Sequence, residues 1–363
     1  MSEVTASSKY ACPACGAEAT WSPAKHSLIC GFCGTESASE LKVFGEIIEH
    51  DLKQTLASMK GRETGLAREA IEVKCQSCQA ISSFEAHRVA QNCEFCGSAS
   101  LVPYKDVNEL IRPESLLPMK VSESRVRDDI RKWYGSRWFA PNALGAKAMT
   151  DTLRGLYVPY WTFDAKVHAV WTAESGTYYY TTETYREGGQ TRTRQVRHTR
   201  WSPASGEIDH FFDDELICGS KGVHPKLLRE VEPFPTRDAV PYDSGYLAGF
   251  VVERYQVDLG TASQTSRAVM ERKVEALCAQ QVPGDTHRNL QTQQQYSAQT
   301  FKHVLAPLWL LTYMFRGKAF QVIVNGFTGK IAGEHPFSWV KIFFAGLAAI
   351  IAAIVVISVL GSD

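Results

Sequence analysis

The sequence shows no net charge, no secretory-leader pattern in its opening residues and none of the common phosphate-binding and hydrolytic signatures, and each absence narrows what is expected of it. Acidic and basic side chains balance at 39 each among 363 residues. No whole-molecule field therefore draws in a polyanion such as bulk nucleic acid, and any contact of that kind has to be local. There is no GxxxxGK(S/T) loop, no GxGxxG after a strand, no GxSxG elbow and no HExxH pair. An ATP-driven motor or helicase is left without a site, and an enzyme has no positive ground. The opening MSEVTASSKYACPACG has no charged start followed by an apolar run, so the first cysteines are expected in a reducing cytosol. There, closely spaced cysteine pairs are metal ligands before they are disulfides.

What is present begins with those cysteines. Cys12/Cys15/Cys30/Cys33 and Cys75/Cys78/Cys93/Cys96 form one pattern used twice: two CxxC pairs separated by fourteen residues, ending in Cys33-Gly34 and Cys96-Gly97. A CxxC turn offers two sulfurs from one tight knuckle, and two knuckles complete a tetrahedron around zinc. Four thiolates leave no open position, which makes both sites structural rather than catalytic. Two zinc ions are expected, with iron in the same sulfur cage the open alternative. Cys218 and Cys278 have no cysteine neighbours and read as ordinary buried thiols.

The chain divides into a ribbon over 1–40, a helical spacer over 41–70, a second ribbon over 71–105, an α+β body over 106–338 and a terminal segment over 339–363. In the spacer, Phe44, Ile48, Leu52, Leu56 and Met59 recur every three or four residues, the pattern of an amphipathic helix over 41–60 that spaces and docks the ribbons. Ser122 can cap a helix to about Tyr134, and a second helix is expected over 261–280. The stretch from Leu156 to Trp201 carries strand signals, with a long hairpin turning at Glu187-Gly188-Gly189-Gln190. A strand is expected around 249–257, and a meander over 306–330 turns at Arg316-Gly317-Lys318 and at Asn325-Gly326 to Thr328-Gly329. Pro159-Tyr160-Trp161 and Pro307-Leu308-Trp309 hint that the body consists of two related halves. The fold class is thus α+β, rich in antiparallel sheet, with two zinc ribbons at its N-terminus.

From Ile342 to Leu360 the sequence runs IFFAGLAAIIAAIVVISVL without a charge, which reads as a transmembrane helix. Lys330 and Lys341 lie before it and only Gly361, Ser362 and Asp363 after it, so the positive-inside rule predicts a single-pass tail anchor with a cytoplasmic bulk.

Three further clusters invite a functional reading. Arg192, Arg194, Arg197 and Arg200, with His198, lie opposite Tyr178, Tyr179, Tyr180 and Tyr185. Such an arm could hold single-stranded nucleic acid or lipid head groups, against a plainer account as a solvated two-stranded ribbon. Asp209, His210, Asp213, Asp214 and Glu215 read as a solvated acidic turn, and His303 as a satisfied histidine at a strand edge. The first ribbon has more acidic than basic residues, so a protein partner is favoured over nucleic acid there.

WFAP at 138–141, LYVPYWTFDA at 156–165, VPYDSGYLAGF at 240–250 and PLWLLTYMFRGKAFQVIVNGFTGKIAGEHPFSW at 307–339, together with the two ribbons, resemble a bacterial family of membrane proteins with TFIIB-type zinc ribbons. Its members are often labelled as similar to primosomal protein N', the replication-restart helicase, a label that the missing phosphate loop does not support. The resemblance implies a non-enzymatic scaffold or adaptor at the bacterial inner membrane, beside SPFH-type (flotillin-like) and phage-shock-type proteins and in contact with the lipid bilayer. The alternative is a nucleic-acid-binding protein of replication or transcription. Only the eight cysteines carry over as site residues.

Overall fold

A computed structural model describes residues 10–37, 46–59, 71–76, 80–84, 93, 95, 98, 100–103, 111–141, 153–188, 190–315 and 318–360. The first ribbon is a four-stranded antiparallel sheet of β1 (Tyr10–Ala11), β2 (Glu18–Ser22), β3 (Ser27–Cys30) and β4 (Glu36–Ser37). After β5 (His50–Asp51) and α1 (Leu52–Met59) comes the second ribbon. It is built from β6 (Ile71–Cys75), β7 (Ile81–Phe84) and β8 (Leu101–Pro103), with β6 in the middle. The body then adds β9 (Ser115–Leu116), α2 (Glu123–Gly135), β10 (Leu153–Glu187), β11 (Gln190–Cys218) and α3 (Pro225–Val231). It continues with β12 (Val240–Pro241), β13 (Val251–Val252), α4 (Leu259–Gln281), β14 (Thr286–Phe315), β15 (Lys318–Asn325), β16 (Ile331–Gly333) and α5 (Trp339–Leu360).

The main sheet runs β11-β10-β14-β15-β16, with short strands attached at its margins. Side chains alternate between the faces of a strand, and here the alternation separates two cores. Tyr157 of β10, Leu305, Trp309, Leu311 and Tyr313 of β14, and Val322 and Val324 of β15 pack with Ala19, Trp21 and Leu28 of the first ribbon and with Val126, Ile130 and Tyr134 of α2. Their neighbours Leu156, Val158, Tyr160, Ala306, Leu308, Leu310 and Ile323 pack with Cys75, Ala80, Cys93 and Phe95 of the second ribbon and with Leu227, Leu228 and Val231 of α3. The two ribbons therefore cover opposite faces of one sheet. A strand buried on both faces has to read as a near-continuous apolar run, and HVLAPLWLLTYMF over 303–315 does.

Further along β10 the pattern changes. Phe163, Ala165, Val167, Ala169, Trp171 and Ala173 face α4 through Ala262, Met270, Val274 and Cys278, while Lys166, Val170 and Thr172 are exposed on the other side. Pairing with β14 ends at Gly176↔Thr286. Beyond that point β10 and β11 continue as a two-stranded arm to Glu187↔Gln190, as the hairpin signals predict; Gly189 lies outside the described residues.

Several expectations need adjustment. The helix expected over 41–60 is shorter, because His50 and Asp51 pair with Phe301 and Thr300 of β14. The Asp51 carboxylate accepts from Gln54 N–H at 2.7 Å, which sets the helix start there. Phe44 lies outside the described residues, and Leu52 and Leu56 pack in the α4 core rather than between the ribbons. The strand expected over 249–257 reduces to β13, whereas α2 and α4 lie where periodicity placed them. The turn after Asn325 is as expected: its side-chain oxygen accepts from the N–H groups of Phe327 and Thr328. Of the turn expected at Arg316-Gly317-Lys318, Arg316 and Gly317 lie outside the described residues.

The largest correction concerns α5. Among the described residues, no helix is long and apolar enough to cross a membrane. The first turn of α5 carries Lys341. Lys341 is held against the body, its ammonium donating to the carbonyls of Trp138 at 2.9 Å and Ala140 at 2.8 Å. The transmembrane tail anchor and the inner-membrane localisation expected from the sequence therefore do not hold. Phe343, Phe344, Leu347, Ile350 and Ile351 of α5 are exposed.

Candidate metal centre

The first ribbon brings all four predicted cysteines together. Cys12 and Cys15 come from the knuckle after β1, and Cys30 and Cys33 from the knuckle after β3. Each knuckle closes through backbone bonds: Cys12 N–H to Ala17 O (2.7 Å) and Gly16 N–H to Cys12 O (2.8 Å), then Cys30 N–H to Thr35 O and Gly34 N–H to Cys30 O (both 3.0 Å). Gly16 and Gly34 have φ of 73° and 72°, the left-handed conformation that glycine enters without steric cost. The four sulfurs lie within 4.8 Å of one another, with Cys12–Cys33 and Cys15–Cys30 at 3.5 Å. A zinc tetrahedron with 2.3 Å bonds has sulfurs about 3.8 Å apart. The cluster can hold a metal ion, and among the described residues it is the group of His, Cys, Asp and Glu side chains that meets this geometry.

Its electrostatics fit cation binding. Hydrogen bonds from the Thr35 hydroxyl and backbone, followed by the Cys15 thiol, lower Cys33 to about 6. Cys15 is pushed up to about 12: the Ala17 N–H lowers it, but Cys33, burial, Cys30 and Cys12 together outweigh that. Four sulfurs this close cannot all ionise on their own, and a divalent cation removes the conflict.

For the second ribbon, Cys75 and Cys93 are described and both are buried, while Cys78 and Cys96 lie outside the described residues. The knuckle bonds recur: Cys75 N–H to Ala80 O at 2.9 Å and Cys93 N–H to Ser98 O at 2.7 Å. Both match, residue for residue, the Cys12–Ala17 and Cys30–Thr35 bonds of the first ribbon.

The other predicted groups are dispersed. Register places Arg192, Arg194 and Arg200 on one face of the arm with Tyr179, Tyr185 and His198, and Arg197 on the other with Tyr178 and Tyr180. Arg197 stacks over Tyr178 at 4.3 Å, Arg200 over Tyr179 at 5.6 Å and Arg194 over Tyr185 at 5.7 Å, while Arg194 also pairs with Glu183 at 2.9 Å. The acidic residues 209–215 are not a turn but part of β11. Asp209 meets His168, Asp213 meets Arg237, Asp214 meets Lys302 and Glu215 meets Lys273, so each has a cationic or titratable partner. His303 is not at a sheet edge: it is 4% exposed opposite Trp161, and burial lowers it to about 4. Cys278 is buried, and burial pushes the Cys218 thiol up to about 12, which leaves it unreactive.

Two features escaped sequence reading. Glu253 is 2% exposed beneath the second ribbon, and burial raises it to about 7 against hydrogen bonds from Ser220, Gln256 and Gly222; an acidic residue among VVERY offers no signal of this. The other is the pair Phe32 and Phe95, which occupy the same place in the two Cys-x-Phe-Cys-Gly knuckles. Phe32 is 85% exposed and Phe95 0%.

No family model matches the chain, and no solved structure matches it. The chain is similar to the uncharacterized protein YdjG of Bacillus subtilis (strain 168), at 23% identity over 342 residues that cover 93% of this chain and 94% of that one. The likeness therefore extends over nearly the whole of both chains.

Proposed function

We propose that the protein is a non-catalytic zinc-ribbon scaffold, with one structural zinc in each four-cysteine site, that docks a protein partner through its first ribbon. The observation that carries this is the different use of one module at two places. The second ribbon has its described cysteines in the core of the sheet, where a metal serves folding. The first buries the equivalent Cys12 and Cys30 within the ribbon itself, outside the clusters of the sheet, and leaves Phe32 exposed where Phe95 is buried, while anchoring its base through Trp21, whose indole N–H donates to Met119 O at 3.1 Å. A closed four-sulfur shell offers no position for substrate, so a rigid presented knuckle serves recognition. SPFH-type and phage-shock-type proteins are the first partners to try, on the strength of the family resemblance.

The full chain should carry two zinc ions by elemental analysis, with one lost in Cys12→Ser. Affinity capture of a partner should be lost in that variant while the body stays folded. Metal-free, folded protein, or capture indifferent to Cys12→Ser, would sink the reading.

A second reading, nucleic-acid binding, draws support from the Arg/Tyr stacks of the arm. It requires single-strand affinity that falls steeply with salt and drops in Arg192→Ala and Arg200→Ala.

A further inference from the structure

The chain contains two copies of one knuckle, one docked and one bare, and the docked copy shows what the bare one fits. Cys30-Gly31-Phe32-Cys33-Gly34-Thr35 and Cys93-Glu94-Phe95-Cys96-Gly97-Ser98 align without a gap. Both close with a bond from the first cysteine's N–H to the carbonyl of the sixth residue, at 3.0 and 2.7 Å. The Phe95 ring fills a notch on the body. Gly222 forms part of its wall, and a Cβ there would stand 3.1 Å from the ring. The Phe95 carbonyl accepts from Thr312 Oγ1 at 2.8 Å and Gln321 Nε2 at 3.1 Å. The receptor for a Cys-x-Phe-Cys-Gly knuckle is thus an apolar notch walled by glycine and flanked by a hydroxyl and a carboxamide donor.

Among the described residues, the space around Phe32 is open, with the ring 85% exposed. A Cβ built on Gly16, Gly31 or Gly34 would meet nothing within 4 Å, so another chain can approach the knuckle backbone closely. The same ribbon carries exposed Glu18, and its Glu36 is matched by Lys25 at 3.3 Å; four thiolates on a divalent ion would add net negative charge beside Phe32. We infer that Phe32 is the plug of a protein-docking surface. Its partner offers a glycine-walled apolar notch, a Ser/Thr hydroxyl and an Asn/Gln amide beside it, and a basic rim. The inference rests on the docking reading above and deepens it: it names the residue that enters the partner and the surface it enters. A second copy of this chain does not fit the role, because its own notch is filled by Phe95.

The test places p-benzoylphenylalanine at position 32 of the full chain, and at exposed Trp138 as control, in the native cells, and maps the adducts by mass spectrometry. One partner peptide is expected from position 32 and not from 138, containing glycine among apolar residues with Ser/Thr and Asn/Gln side chains alongside. Against that partner, purified, Phe32→Ala should weaken binding at least about tenfold with metal content unchanged, and Phe32→Leu should retain most of it. No adduct, adducts scattered over unrelated proteins, adducts only to a second copy, or unchanged affinity in Phe32→Ala each overturn the inference. If Cys12→Ser abolishes binding while Phe32→Ala does not, the scaffold reading stands and the plug fails; if neither variant matters, both fail.

Discussion

The two ribbons share a ligand pattern and knuckle bonds, yet one is part of the core and the other is an appendage with an anchored base. The second ribbon contributes Cys75 and Cys93, at 0% and 4% exposure, to the cluster under α3. The first contributes Ala19, Trp21 and Leu28 from its strands to the cluster under α2; its Cys12 and Cys30 are as buried, at 3% and 1%, but within the ribbon and outside that cluster, and its Phe32 stays in solvent. A small metal module is therefore an independent folding unit or a structural staple depending on which part of it faces the body. Its own sequence does not settle which.

The comparison is most severely tested by removing one ligand from each site. In the second ribbon, Cys93→Ser would take away the proposed metal and leave an unsatisfied hydroxyl in a closed core. The binding free energy at stake in such small modules is of order 10 kcal/mol, comparable to the whole stability of a domain. Loss of the cooperative thermal transition, or insolubility, is expected. Cys12→Ser should unfold only the outer part of its ribbon, leaving the thermal transition of the sheet within a few degrees of the parent by circular dichroism. Equal effects from both variants would erase the distinction between the two ribbons.

Next in size is the ring that the second knuckle buries. Phe95→Ala should cost about 3–5 kcal/mol in chemical denaturation, because transfer and cavity terms add in a packed core. The carbonyl bonds from Thr312 and Gln321 keep the backbone in place and prevent the notch from collapsing.

The unequal settings were only partly legible in the sequence. Ligand spacing is local chemistry, so both cysteine sets, the glycine-ended knuckles and the Asn325 turn could be read directly. Helix periodicity located α2 and α4 for the same reason. What could not be read is long-range: β10 and β14 pair over most of their lengths, and only that pairing places one ribbon on each face. Residues 50 and 51 fit a helical period, yet they join the edge of β14, because two ladder pairs and an Asp51 cap compete successfully with two more helical residues. The apolar letters of 342–360 suggested a membrane span without reporting Lys341 held by Trp138 and Ala140. Phe32 and Phe95 are the sharpest case, since the same letter at the same place in a repeat has opposite burial.

A third effect depends on pH and separates the ribbons by what lies beneath them. Glu253, raised to about 7 by burial, faces the second ribbon, where Gly222 lies between its carboxylate and Ala80. A folded pKa above the unfolded value means that between about pH 4.5 and 7 the folded chain keeps a proton that the unfolded chain has released. Stability from this group is fully present below that window and declines as pH rises through it, by up to about 3 kcal/mol. Glu253→Gln should remove the decline and gain relative to the parent at pH 8, measured by denaturation at pH 5 and pH 8. A variant whose pH profile parallels the parent would show that the carboxyl is charged in the folded chain throughout.

The smallest expected stability effect is also the most discriminating. Phe32→Ala deletes the same side chain as Phe95→Ala from the same knuckle position, but with 85% of the ring in water there is little transfer free energy to lose and no cavity to leave. Surface substitutions of this kind stay within about 0.5 kcal/mol, so denaturation midpoint and metal content should match the parent. A loss approaching that of Phe95→Ala would mean that the ring is covered within the chain in solution, which removes the asymmetry on which the docking role rests. An unchanged midpoint leaves an aromatic side chain that folding does not require, on a rigid metal-braced turn, with its buried twin showing that the turn can seat a ring in a protein surface.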